Sequence, residues 1–164
     1  MLGIDPGMAA WGFGVVERDG RTVSLIEHGW LRTPAGDRLE LRLKQIYDDV
    51  AELLVRFEPE SVAIEESYVG ANPRTALSVG QARGAVLVAC AAAGVACVEY
   101  PPATIKQAVC GYGRADKTQV QRMVRAILRM ETEPQPDHAS DALAVAICHA
   151  LDSRSRRPLG EAVR

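Results

Sequence analysis

The sequence predicts an α/β fold: a five-stranded mixed sheet, three strands antiparallel and two parallel, flanked by helices. Two observations carry this. The first third reads as short apolar strands joined by tight turns, and from residue 37 onward helical and strand-like segments alternate. Alternation of that kind calls for parallel strands with right-handed crossovers and helices on both faces.

Leu2–Asp5 is a short apolar strand ended by the turn Pro6-Gly7. Trp11–Arg18 and Thr22–Leu31 follow, separated by Asp19-Gly20, a dipeptide suited to a tight hairpin. Pro34 stops the sheet. In Asp37–Phe57 the residues Leu39, Leu43, Ile46, Val50, Leu53 and Phe57 recur at four- and three-residue intervals, one face of an amphipathic helix with Asp37 as its expected cap and Pro59 beyond its end. Ser61–Glu66 is a strand with an acidic end. Asn72-Pro73 places a cap and a proline at the start of a helix running to Gly94. Val95–Tyr100 is a strand closed by Pro101-Pro102, and Ala103–Cys110 is helical up to Gly111-Tyr112-Gly113. Asp116–Met130 is a helix on which Asp116 and Gln119 stand as a capping box. The last helix spans His138–Leu151. The chain reads as one domain over residues 1–151 followed by a loose tail, 152–164.

At 164 residues, with 48% hydrophobic and 24% charged residues, the composition is that of an ordinary globular domain. The longest apolar stretch, Ala85–Val98, is interrupted by Gly94 and is too short to span a bilayer. Met1 runs into Leu2-Gly3-Ile4-Asp5 with no basic region, so no signal peptide and a cytoplasmic location are expected. Cys90, Cys97, Cys110 and Cys148 form no CxxC pair and read as small buried hydrophobes. The net charge of −2 hides an asymmetry: residues 1–67 carry −6, residues 68–130 carry +6, and the remainder −2. A basic middle between acidic ends suits a polyanion-binding face, with carboxylates gathered elsewhere.

Four positions could hold metal. Asp5 closes the first strand and Glu65, beside Glu66, ends the fourth; in open sheets, strand ends line the ligand crevice. On the last helix His138 and Asp141 are three positions apart, hence on one face at the helix N-terminus, where the dipole favours negative charge. Crowded carboxylates need cations, and an oxygen-rich, incomplete ligand set suits Mg²⁺ or Mn²⁺. Two such ions roughly 3.5–4 Å apart serve phosphodiester hydrolysis. Each residue also has a plainer reading. Asp5 fits turn initiation before Pro6-Gly7, Glu65 a solvent-facing strand end, His138 a polar helix start and Asp141 a first-turn dipole residue.

Taken together, these segments resemble the RuvC family of Holliday-junction resolvases. Leu2–Gly7 and Gly12-Phe13-Gly14-Val15 look like its first hairpin, and Ala63-Ile64-Glu65 like its fourth strand. Gly80-Gln81-Ala82-Arg83-Gly84 is similar to its central helix, Ile105-Lys106-Gln107 and Gly111-Tyr112-Gly113 to the segment after it, and Asp141-Ala142-Leu143-Ala144 to its last helix. The resemblance implies an RNase H-like fold and a homodimer that cuts opposed strands of a four-way junction, leaving 5′-phosphate and 3′-hydroxyl ends. It implies a catalytic and metal-binding set of Asp5, Glu65, His138 and Asp141 with two ions, Mg²⁺ or Mn²⁺, per active site. It also implies the branch-migration proteins RuvA and RuvB as partners. There are two departures. The third acidic position of some members is His138 here, with Asp137 beside it as a rival; and the first strand starts two or three residues earlier in many members. A histidine in the set predicts activity that falls as pH drops below about 6.5.

For DNA, Lys106, Arg114 and Lys117 flank the Gly111-Tyr112-Gly113 loop, and the resemblance puts Lys106 and Lys117 against phosphates. Arg74, in the first turn of its helix, could add a contact. Tyr68, after the catalytic strand, looks suited to stacking on a base at the crossover. Arg122, Arg125 and Arg129 read by default as a solvated face. Ala76, Gly80 and Gly84 recur every four residues, a small-residue stripe fit either for packing on the sheet or, as the resemblance favours, for a dimer contact with Arg83 nearby.

Three rivals stand against a resolvase. An actin- or sugar-kinase-like ATPase needs a second phosphate hairpin and a second domain, and this chain offers neither. Another RNase H-like nuclease would share the metal site. A non-catalytic junction-binding protein predicts a missing ligand, whereas all four positions are filled.

Overall fold

The computed structural model describes residues 1–66 and 73–152. Its strands are β1 (Leu2–Asp5), β2 (Ala10–Asp19), β3 (Thr22–Arg32), β4 (Ser61–Glu65) and β5 (Ala96–Tyr100); its helices are α1 (Leu39–Phe57), α2 (Pro73–Ala92), α3 (Pro102–Cys110), α4 (Lys117–Leu128) and α5 (Asp137–Leu151). They form one sheet in the order β3-β2-β1-β4-β5. The first three strands are antiparallel, and β4 and β5 run parallel to β1. The expected mixed sheet is therefore the observed one.

Strand periodicity divides the core. Leu2, Ile4, Trp11, Phe13, Val15, Val62 and Ile64 point to the face covered by α1 and α2, where they pack with Ile46, Val50, Leu53, Ala82 and Val86. Val16, Val23, Ala63 and Tyr100 point to the opposite face, under α3, α4 and α5. Asp5 shares the parity of Gly3, and Glu65 that of Ala63, so both acids fall on the α5 face. Because Ile4 pairs with Ile64 in parallel register, they stand side by side where two neighbouring strands end.

α5 reaches that face because the strands beneath it lack side chains. A Cβ on Gly3 would collide with the Ala142 carbonyl and with Ala146, and one on Gly12 with the carbonyl of His138. A Cβ on Gly14 would lie 2.6 Å from a Leu143 methyl. Helix backbone thus rests almost directly on strand backbone, closer than any sheet carrying side chains would allow. At its other end α5 is fastened by a polar chain. Ser61 Oγ lies 2.7 Å from His149 Nε2, His149 Nδ1 lies 2.8 Å from the Tyr100 hydroxyl, and that hydroxyl donates to Asp152 at 2.9 Å. Donation in one direction, from Ser61 through His149 and Tyr100 to the carboxylate, satisfies every member of this largely buried row.

Several boundaries differ from the sequence reading. Asp37 is not the cap of α1: its N–H closes a turn onto the Pro34 carbonyl, and the helix starts after Arg38, which makes no side-chain cap. α5 begins one residue early, at Asp137, and β3 runs one residue further, to Arg32. β4 stops at Glu65, with the Glu66 N–H bonded to the Tyr100 carbonyl. The Asp116–Gln119 capping box is present in full. Cys97 and Cys110 are only half-buried, whereas Cys90 and Cys148 are buried. By length and composition alone Arg74–Ala92 is also long and apolar enough to cross a membrane, although the apolar stretch Ala85–Val98 is not. Gln81 and Arg83 break that window into shorter apolar runs. In this fold α2 lies on the sheet through Ala82, Val86, Ala89 and Cys90. Tyr68, the Asn72 cap and residues 153–164 of the expected tail lie outside the described residues.

The close approach of α5 makes a stability prediction. Gly3→Ala should lower unfolding free energy by roughly 1–3 kcal/mol, the usual cost of overpacking. Gly36→Ala, where a Cβ meets nothing within 4 Å, should be near neutral. Urea unfolding of the two variants checks this; equal midpoints would show that the helix can retreat freely.

Candidate active site

Three elements deliver the four predicted residues to one place. Asp5 ends β1, Glu65 ends β4, and the first turns of α5 carry His138 and Asp141 across the strand ends. His138 Nδ1 lies 2.7 Å from Asp5 Oδ2, a contact that joins residues 133 positions apart. The Asp5 carboxylate is 18% exposed and the imidazole 42%, so the pair is open to solvent on the helix side.

The electrostatics show how tightly the acids are gathered. Burial, together with the charges of Asp5 and Asp141, pushes the Glu65 carboxyl up to about 7 from 4.5. Burial and the charge of Asp5 also raise Asp141, against the opposing pull of Lys117. The hydrogen bond that the His138 imidazolium donates to Asp5 holds its pKa above the ordinary range, outweighing burial. Lys117, the first residue of α4, reaches Asp137 Oδ2 at 3.0 Å and Asp141 Oδ2 at 3.1 Å. Burial opposes its charge, but these two hydrogen bonds win and raise it.

The contacts separate Asp137 from His138. Asp137 is taken up by Lys117 and by Gln121 Nε2 at 3.0 Å, and the lysine holds its carboxyl below the ordinary range. His138 is the residue that faces Asp5. Sequence spacing could not separate these neighbours; the helix phase set by Gly12 under the His138 carbonyl does.

A cleft of about 210 Å³ opens beside these groups, lined by Glu65, Asp141, Lys106 and Lys117 over an apolar floor that includes Ile105 and Val120. A lining that holds both carboxylates and ammonium groups suits a phosphate bridged to a cation. Among the described residues no three carboxylate, imidazole or thiolate groups already stand at the spacing of a coordination shell. In their place His138 and Lys117 answer the charges of Asp5 and Asp141. A cluster in which burial and neighbouring carboxylates raise Glu65 and Asp141, with oxygen donors predominating, is chemically fit for a hard divalent cation.

The other predicted residues are more scattered. Lys106 and Lys117 line the cleft, whereas Arg114 stands exposed on the turn between α3 and α4, outside its lining. Arg74 is exposed in the first turn of α2. A Cβ added at Gly80 or Gly84 would meet nothing within 4 Å, so the Ala76, Gly80, Gly84 stripe does not serve packing on the sheet. Arg83 is ion-paired with Glu99 of β5 in the same chain. The reach of Lys117 to Asp137 and Asp141 was not legible in sequence, because it depends on how α4 packs beside α5.

Comparison with known proteins decides the family. The family model described as crossover junction endodeoxyribonuclease RuvC matches residues 1–149. The chain belongs to the RuvC family. It is thus a crossover junction endodeoxyribonuclease, a nuclease that hydrolyses DNA. It is similar to the RuvC of Chloroflexus aggregans, 51% identical over 97% of both chains, and to that of Moorella thermoacetica, 52% identical over 92% of this chain and 90% of the relative. Thermus thermophilus RuvC in complex with a Holliday junction substrate superposes with a TM-score of 0.87 at 42% identity, over 91% of each chain. A yeast mitochondrial Holliday junction resolvase shares the fold at a TM-score of 0.67 and 12% identity, over 91% of this chain and 78% of that one.

The raised carboxyl gives a signed pH prediction. A group bound more tightly to its proton in the folded state lends stability below its unfolded pKa and loses it as pH rises through the folded value. For Glu65 that window runs from 4.5 to about 7. In metal-free buffer the wild type should lose stability relative to Glu65→Gln across that window, measured by urea unfolding at several pH values. Parallel profiles would show that Glu65 does not feel Asp5 and Asp141.

Proposed function

We propose that this chain resolves four-way DNA junctions as a homodimer, with Asp5, Glu65, His138 and Asp141 as the catalytic, cation-binding set of each active site. The observation that carries the reading is the convergence of those four groups from three elements, marked by Glu65 being pushed up to about 7 by burial and its acidic neighbours. A solvent-facing strand end would leave that carboxyl at its ordinary value.

In this reading Asp5, Glu65 and Asp141 supply oxygen donors, and His138 supplies nitrogen, oriented by its hydrogen bond to Asp5. When bound, Mg²⁺ or Mn²⁺, two ions per site, supplies activation of the attacking water and stabilisation of the leaving 3′ oxygen. Lys106 and Lys117 take phosphate oxygens from the cleft wall. Lys117 must then exchange Asp141 for DNA, which couples substrate entry to release of that carboxylate. Arg74 and Arg114 add backbone contacts that position DNA without reading sequence, and Tyr68 stacks on a base at the crossover.

The dimer forms through α2. Its Ala76, Gly80 and Gly84 stripe is open, and Leu77 and Val88 on the same helix are exposed, surface that a second copy would cover. Arg83, on the same helix and paired with Glu99, would lie near the rim of that contact. Residues 1–151 act as the nuclease domain, the protein works in the cytoplasm, and RuvA and RuvB are its branch-migration partners.

The deciding experiment is cleavage of a synthetic four-way junction in Mg²⁺ or Mn²⁺, with linear duplex as control. Wild type should place paired nicks that ligase can seal, with 5′-phosphate ends. Asp5→Asn should lower the rate by about 100-fold or more, at the upper end of losses seen when metal sites are disturbed. Tight junction binding without cutting in either metal would overturn the catalytic assignment.

A further inference from the structure

β3 is an edge strand, and it carries a tryptophan where one is least expected. Trp30 is 38% exposed. Its register places it with the active site: Asp5 pairs with Gly12, and Gly12 pairs with Trp30, so the three form one row across β1, β2 and β3. Residues directly opposite one another share a face of the sheet. Trp30 therefore stands on the face from which Asp5 projects, two strand spacings away, about 10 Å. The position between them offers no side chain, and the backbone of His138 rests over it. The indole thus borders the start of α5 on the side away from Glu65.

Two residues further along β3, Arg32 points to the same face, and its guanidinium carbon lies 4.5 Å from the centre of the Trp30 ring. Among the described residues no ion pair joins Arg32 to a carboxylate. Its charge is available within a segment that is otherwise strongly acidic. A flat aromatic surface and an uncommitted guanidinium are the two elements single-stranded nucleic acid uses, one for a base and one for a phosphate.

We propose that Trp30 and Arg32 form a nucleotide subsite. The exposed side of the indole stacks on a base of the cleaved strand next to the scissile phosphate, and Arg32 binds a phosphate of that strand. This rests on the junction-cleaving function above and adds a contact on the β3 side of Asp5, opposite the lysine-lined cleft. It positions the strand and takes no part in bond breaking.

The chain has two tryptophans, and Trp11 is fully buried on the other face, so emission changes on DNA binding report on Trp30. Asp5→Asn protein is titrated with a synthetic four-way junction while intrinsic fluorescence and affinity are followed. Stacking predicts quenching that disappears in Trp30→Phe. Affinity should fall about tenfold in Trp30→Ala and less in Trp30→Phe, which keeps an aromatic ring and the local packing. Arg32→Gln should flatten the dependence of affinity on salt. Normal junction binding without quenching, with Trp30→Ala and Arg32→Gln within twofold of the parent in affinity, would overturn the subsite and leave the junction reading standing. No junction binding by the Asp5→Asn parent would overturn both.

Discussion

Helix α5 lies against the sheet with its backbone nearly touching that of β1 and β2, because Gly3, Gly12 and Gly14 present no side chains to it and Ala139, Ala142 and Ala146 present small ones. The helix is buried almost all round from Ala139 to Ala150, with α3 and α4 closing over it. A helix held this close cannot rotate or slide without collision. Its first turns are thereby fixed over the ends of β1 and β4, and the polar chain from Ser61 to Asp152 fixes its far end. The proposed active site is a consequence of that packing: two strand-end acids on the α5 face, and His138 and Asp141 brought over them from residues remote in sequence.

The same geometry explains the charge balance. Four ionisable groups and Lys117 share a small space: burial first, and then the charge of Asp5, raises Glu65 and Asp141, while the hydrogen bond to Asp5 raises His138. In the proposed site, repulsion among the acids is what a bound divalent cation would relieve, which would link the glycines under α5 to cation affinity. Lys106 and Lys117 line the cleft beside these acids, and Trp30 stands on the same sheet row as Asp5 in the other direction.

Much of this was legible in the sequence because it follows from period and position. Apolar runs closed by an acid put Asp5 and Glu65 at strand ends, and a three-residue spacing put His138 and Asp141 on one helix face. The mixed sheet followed from hairpin residues and from helix–strand alternation. What depended on packing was not legible. Asp137 and His138 are adjacent, and only the phase of α5 over Gly12 shows which meets Asp5. Lys117 could be read as a basic residue beside a loop but not as the partner of Asp137 and Asp141. The stripe on α2 allowed two readings until the structure showed open space above Gly80 and Gly84. Trp30 lies within the predicted third strand and Arg32 just beyond it, and nothing in the sequence singles out either, since their relation to Asp5 passes through two strand pairings.

The central claim is that acids from β1, β4 and α5 form one coupled cation site. Calorimetric titration of Mn²⁺ into the protein near pH 6.5, in buffers of different ionisation enthalpy, tests it without DNA or turnover. The account predicts binding with net proton release, since Glu65 and His138 must give up protons to bind a cation, and loss of that signal in Asp141→Asn, whose residue lies on a different element from Asp5 and Glu65. Binding without proton release, or binding unchanged in Asp141→Asn, would contradict it.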